Sequence, residues 1–356
     1  MKTWKSFTGK ELLIKSALVS SWILLILLFL YMPNFFSELQ TQKTINILVW
    51  PQIIDGEFLK EFEEKNNIKV NISYFENNEE LLAKLRNSHQ HDYDIIMPSD
   101  FMLNIFIKEE WIKKIDKTKL TFWDTLVPEI KGNKADIENN FTIPCFWAVL
   151  GIGIDTRFID MQHIPQSWAL LFKERNTPHI GMLENMRQLF SITALYLFDK
   201  TGYLTKEEAQ QTIEKLTKQK KHVVAYSEMR IEYMLASGSA PVTLCLSSDI
   251  AKMIDTFEYI SFFVPAEGSF SILDSFCITK STKKDELVYA FLNYIYQPHI
   301  MEKYKNKFCF PSPLISVKNT ENTVTPASLK HIPIHSFQQN IDTATLQKFW
   351  IQLHAA

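Results

Sequence analysis

With 356 residues, 46% of them hydrophobic and 13% aromatic, the chain has enough apolar material for the cores of two lobes of ordinary domain size. A net charge of only −2, with acidic and basic residues interspersed, leaves no basic face of the kind that binds nucleic acid. No GxSxG, P-loop or HExxH pattern occurs, and nine glycines offer little for a phosphate-cradling loop, so the chain does not read as an enzyme and implies no cofactor.

The first element in chain order is a membrane signal. Lys2, Lys5, Lys10 and Lys15 precede an uncharged, mostly apolar run from Ala17 through Ser37. A run of roughly 20 apolar residues matches one bilayer crossing, and lysines on its N-terminal side keep that end cytoplasmic. Pro33, Asn34, Phe35 and Phe36 lack the small residues that a signal peptidase requires. Residues 1–40 are therefore expected to form a basic cytoplasmic end and an uncleaved anchor, with everything after Glu38 exported. No cysteine lies near the end of the run, which argues against a lipid anchor. Without the four lysines and Glu11, the exported body is three charges more negative than the whole chain.

Past the anchor, short β-like runs alternate with longer amphipathic ones: INILV (45–49), GEFLKEFEEKNN, IKVNISY, NNEELLAKLRNS and YDIIMPSD. That alternation predicts βαβ units and a mostly parallel sheet. The run FTIPCFWAVLGIGIDT (141–156) reads as a long strand crossing between lobes, with Gly151 and Gly153 permitting close packing. A second α/β series follows: HIGML, a helix from Met186, a helix opened by Thr205 and Glu208 in capping-box spacing, PVTLCL, a helix from about Ser248, and YISFFVPAEG. GSFSILDSFCIT (268–279) is again extended and reads as a return crossing, leading to a helix with Thr282 and Asp285 at capping-box spacing. Residues 316–328 read as a surface loop, and Leu346, Phe349, Trp350 and Leu353 mark the docking face of a terminal helix.

Cys145, Cys245, Cys277 and Cys309 sit in or beside apolar stretches at wide, irregular spacings, which suits buried thiols; one or two disulfides are the alternative in an oxidising compartment. His89, His91 and Asp92 read as a solvated polar loop rather than a metal site.

Residues 45–129 resemble the N-terminal lobe of bacterial spermidine/putrescine-binding proteins, with near matches in NNEELLAKL, YDIIMPS and IKKIDKTKLT. IPCFWAVLGIGID, SWALLF, EGSFSILDSF and FCFPSPL then follow in the family's order, so the resemblance spans residues 45–316. It implies an α/β, two-lobed periplasmic binding protein fold of type II with two interlobe crossings. Lobe 1 would comprise 41–148 plus 272–316, and lobe 2 would comprise 149–271 plus 317–356. It further implies the substrate-binding component of an ABC-type polyamine importer in the periplasm, which the uncleaved anchor expected above would tether to the inner membrane. Its partners would be a small cationic amine and an ABC permease.

The resemblance also implies a site. Trp50 is kept after the first strand, while the tyrosine expected three residues on is Ile53. Ser99 is kept, and the tyrosine two positions later is Phe101. The acidic pair flanking an arginine has become Asn185 and Gln188 around Arg187. Two expected tryptophans align with Leu246 and Ile272, a tyrosine aligns with Phe310, and Asp274 remains as the cation anchor. A polyamine needs carboxylates at its nitrogens and aromatic faces beside its ammoniums, each face contributing about 0.5–2 kcal/mol. A neutral amide acceptor supplies roughly half of a charge-assisted bond. With Asp274 alone, a dication would be under-neutralised unless Asp100, Glu184 or Glu228 turns inward; the alternative is a membrane-tethered sensor or binding module of the same fold for a smaller or less charged amine. Hinge motion is expected near Ala148–Gly153 and Pro265–Ile272.

Overall fold

The computed structural model describes residues 18–26, 43–51, 53–87, 92–172, 179–228, 230–338 and 340–355. Of the expected anchor only 18–26 is described: it is helical and its apolar side chains face outward, Trp22 being 65% exposed and Leu24 66% exposed. The rest of the run Ala17–Ser37, together with His89 and His91, lies outside the described residues. Among the described residues no helix is long and apolar enough to cross a membrane.

Strand β1 (Lys43–Val49) is buried on both faces only toward its end, at Ile47, Leu48 and Val49, which is where its sequence becomes continuously apolar. Ile45, Ile47 and Val49 enter one core, and Leu48 enters a second cluster with Phe75 and Phe106. The helix Gly56–Asn66 starts where the Asp55 carboxylate accepts from the Glu57 amide and ends at Asn67 in the left-handed conformation; its buried face is Leu59 and Phe62. It returns the chain to β2 (Ile68–Tyr74), parallel to β1 with Lys43 opposite Ile68. β3 (Ile95–Ile96) is short, and Pro98 follows it, with no amide hydrogen to extend a ladder.

The remaining strands are β4 (Ile143–Asp155), β5 (Ile180–Met182), β6 (Val223–Tyr226), β7 (Val242–Leu246), β8 (Ile260–Phe263), β9 (Ser269–Ile278) and β10 (Ile334–Ser336). They form one sheet in the order β2-β1-β3-β9-β4-β7-β5-β6, with β8 beside β4 and β10 beside β9. β4 and β9 are the antiparallel centre. Through Val149, β4 pairs with β9; from Leu150 it pairs with β7 and from Ile152 with β8. β9 likewise pairs with β3 at Cys277 and Ile278 and with β4 and β10 earlier. These partner exchanges are the two crossings expected from sequence. At the first of them Gly151 is required, because a Cβ there would stand 2.3 Å from the Phe262 ring and 2.6 Å from the Phe263 carbonyl oxygen.

Two large cores result. One gathers Ile45, Phe62, Tyr296 and Met301, and the other Leu150, Trp168, Phe190 and Leu244. The chain passes between them a third time, since Val317 packs in the first core while Phe337 and Leu353 pack in the second. The terminal helix Thr343–Ala355 docks on the second core through Leu346, Phe349, Trp350 and Leu353, as its periodicity predicts. Thr205 and Glu208 do close a capping box. The Thr282–Asp285 box does not form: the Thr282 hydroxyl accepts from the Lys284 amide at 3.2 Å and donates at 2.6 Å to the buried Asp94 carboxylate, which is also bound by the Asn46 amide at 2.8 Å and the Lys284 ammonium at 2.9 Å, and the helix begins only at Asp285. All four cysteines are free thiols, three of them buried and Cys309 partly exposed.

Candidate functional site

Asp274 lies on β9 between the two cores, two residues from Ile272 and therefore on the same face of the strand. Across the ladder its partner is Phe146 of β4. On the other side Ser99, just past β3, forms an isolated β-bridge with it, and the Ser99 hydroxyl donates to Asp274 Oδ1 at 2.6 Å. Asn78, at the start of the helix Asn78–Asn87, fixes that direction: its amide donates to Ser99 Oγ at 3.2 Å, so the serine proton is left for the carboxylate. The Trp50 indole N–H faces the same carboxylate. It is close enough to favour the ionised form, lies outside hydrogen-bond geometry, and has no other acceptor among the described residues.

Next to Ser99, the Asp100 side chain is buried against the same spot, its Oδ1 accepting from the Phe101 amide at 2.9 Å. Burial pushes both carboxyls up to about 7, and the charge on Asp274 pushes Asp100 in the same direction. The Ser99 hydroxyl and the Trp50 indole oppose the rise at Asp274. Of Asp100, Glu184 and Glu228, one of which a dication would need turned inward, Asp100 is buried beside Asp274.

A second acidic group lies in the second half of the chain. Glu228 follows β6, and Asp249 sits in the first turn of the helix Ser247–Thr256 that leaves β7. Burial, with each other's or neighbouring charge, pushes both up to about 7: Glu228 feels Asp249, Glu184 and Glu79, and Asp249 feels Glu232. Among the described residues none of these four raised carboxyls forms an ion pair. Two desolvated acidic groups without a protein cation are an arrangement that an external cation would complete. Among the described residues no three His, Cys, Asp or Glu side chains converge to hold a metal ion.

The remaining expected residues fall into three settings. Asn185 caps the helix Met186–Phe198, accepting from the Gln188 amide at 3.2 Å, and Gln188 is 4% exposed with its Oε1 unpartnered among the described residues. Between them the Arg187 guanidinium stands over the Phe101 ring at 5.4 Å, and Phe101 in turn meets Phe337 edge-on at 6.0 Å. Leu246 and Ile272 pack with the second core. Ile53 and Phe310 pack with the first, and the Phe310 ring meets that of Phe146, the ladder partner of Asp274, at 3.9 Å. Trp50, Ser99, Phe101, Ile272 and Asp274 thus come together. Asn78 and Phe146 belong beside them, and Asp249 belongs with Glu228; none of the three was singled out from sequence, although Phe146 stands on the crossing strand as the ladder partner of Asp274.

A family model described as bacterial extracellular solute-binding protein matches residues 91–340. The spermidine/putrescine-binding periplasmic protein of Salmonella typhimurium is 25% identical over 277 residues, 77% of this chain and 79% of that protein. The putrescine-binding periplasmic protein PotF of Escherichia coli is 27% identical over 305 residues, 79% of this chain and 82% of the relative. In structure, the spermidine/putrescine ABC transporter substrate-binding protein PotD of Streptococcus pneumoniae superposes with a TM-score of 0.73 at 23% identity, covering 88% of this chain and 99% of that one. That likeness identifies the fold as the two-lobed periplasmic binding protein fold of type II. With the family match spanning most of its length, the chain belongs to the bacterial extracellular solute-binding proteins, a family of binding proteins rather than enzymes.

Proposed function

We propose that this protein captures a small polyamine between its lobes as the substrate-binding component of an ABC-type importer. The observation that carries the reading is the pair Asp274 and Asp100, desolvated beside Trp50 and Phe101 and without an ion pair among the described residues. Glu228 and Asp249 supply a second anionic station. One ammonium at each station would favour ionisation of the four raised acids, while the aromatic faces cover the ligand's chain. Relatives named as spermidine/putrescine-binding and putrescine-binding periplasmic proteins support the same ligand class. The second station removes the shortfall of charge that favoured a singly charged amine.

Closure about the partner exchanges of β4 and β9 would present both lobe surfaces to a permease in the inner membrane. The lysines before Ala17, the apolar run and the outward-facing side chains of 18–26 support a periplasmic body tethered to that membrane. Isothermal calorimetry of the body from residue 41 onward with putrescine and spermidine tests the reading. Saturable 1:1 binding of either, lost in Asp274→Ala, is expected; no heat with any polyamine would overturn it.

A further inference from the structure

Residues 75–78 link β2 to the helix Asn78–Asn87 and stand behind the candidate site. Phe75 is fully buried, its ring lies 4.5 Å from the Trp50 ring, and its amide donates to the Val49 carbonyl at 3.3 Å, so it is fastened to the strand end that carries the tryptophan. Asn78 is 4% exposed and uses both halves of its side-chain amide on Ser99: Nδ2 donates to Oγ at 3.2 Å, and Oδ1 accepts from the Ser99 amide at 3.3 Å. The link is itself pinned, because the Glu80 amide donates to Asn77 Oδ1 at 2.8 Å and the Glu76 amide donates to the Glu80 carboxylate at 2.7 Å. Two lines of contact therefore run from it to the cleft, Phe75 to Trp50 and Asn78 through Ser99 to Asp274. Ser99 is 2% exposed, whereas Trp50 and Asp274 are half-buried, so a ligand finds surface at the tryptophan and the carboxylate and almost none at their supports.

We infer that residues 75–78 are the positioning element of the amine anchor: Phe75 and Asn78 set affinity without touching the ligand, Phe75 through Trp50 and Asn78 through Ser99. This rests on the amine-capture reading and adds to it two positioning residues. A serine hydroxyl has one proton. With Oγ accepting from the Asn78 amide and the Ser99 backbone N–H held by the same side chain, that proton turns toward Asp274 and fixes the carboxylate for an incoming ammonium. Without Asn78 the hydroxyl is free to rotate and the Ser99 amide loses its acceptor. Phe75, tilted by 55° against the indole, likewise restricts the positions open to the Trp50 ring.

Double-mutant cycles, read by titration calorimetry of the body with putrescine, test the inference. Asn78→Ala is expected to weaken binding about tenfold in the parent, and by no more than about twofold in Ser99→Ala, where no hydroxyl is left to orient. Phe75→Leu is expected to weaken it about fivefold in the parent, and by no more than about twofold in Trp50→Ala. A merely structural role would carry the same loss into both backgrounds. That result, or either single variant at parental affinity, would overturn the inference and leave amine capture intact; a parent body that binds no polyamine would overturn both. If Asn78→Ala does not fold, hydrogen exchange of the Asn78 side-chain amide, followed by NMR, takes its place. Slow exchange in the parent and fast exchange in Ser99→Ala are expected, and equal rates would overturn the inference.

Discussion

Replacing Asp274 with asparagine should move stability and affinity in opposite directions. The folded carboxyl holds its proton up to about 7 against an ordinary value of 3.8, mainly through burial. Between those values the unfolded chain is ionised while the folded site keeps its proton, so the ligand-free protein loses stability as pH rises from about 4 to about 7. At pH 8 the ionised group costs at most about 4 kcal/mol of folding free energy. Asparagine keeps the shape and can still accept from the Ser99 hydroxyl, which now approaches at 2.6 Å, and it relieves Asp100 of a like charge. Asp274→Asn is therefore expected to raise the Tm of the ligand-free body at pH 8 by roughly 4–6 °C, with little difference at pH 4. Putrescine affinity at pH 8 should fall by about 30-fold or more, through loss of a charge-assisted contact. Scanning calorimetry at the two pH values and titration calorimetry at pH 8 read both effects. A variant less stable than the parent at pH 8, or one that binds putrescine equally well, would refute the electrostatic account of the site.

Ser99→Ala removes the donor that holds down the Asp274 carboxyl, so amine affinity at pH 7 should fall by about tenfold and recover toward pH 9, as a titration series across pH would show. Asp94→Ala strips the acceptor shared by the Asn46 amide, Thr282 and Lys284, and should cost about 3–5 kcal/mol in urea unfolding without altering relative amine preference. Gly151→Ala forces a methyl group against the Phe262 ring and the Phe263 carbonyl where β4 changes partners, and should cost about 1–3 kcal/mol and lower the urea midpoint.

The architecture was legible where apolar periodicity is long. β1, β2, the thirteen-residue β4 and the ten-residue β9 stand where their runs predict: β4 and β9 are covered on both faces and carry near-continuous apolar signals, while β2, at the sheet edge, buries Ile68 and Val70 and exposes Lys69. The three-residue β10 and the helix Pro298–Phe308, whose start is marked by proline at its first turn, passed unread. Thr282 shows the limit of local spacing: its hydroxyl accepts from the Lys284 amide and donates to a buried acid 188 residues away, and the helix starts past it at Asp285. The site divided in the same way. Asp274 was conspicuous as the one charge in an apolar run, and Trp50, Ser99 and Phe101 followed by resemblance. Asp100 became a site residue only through the Ser99–Asp274 bridge, a pairing that no local pattern encodes. Asp249 reads locally as an ordinary acid in the first turn of a helix, and its burial is a property of the assembled lobe. Phe310 aligned with a ligand-facing position yet packs edge-on against Phe146, within the first core.

The central claim is that an ammonium binds at the protonated Asp100–Asp274 pair, and proton release on binding tests it most directly. Putrescine titrations at pH 6.5 in two buffers of different ionisation enthalpy should report roughly one proton or more released per ligand, because binding favours the ionised form of carboxyls that titrate near 7. At pH 9 the release should vanish. Binding with no proton release at pH 6.5 would contradict the account, since the ammonium would then have found its anion elsewhere.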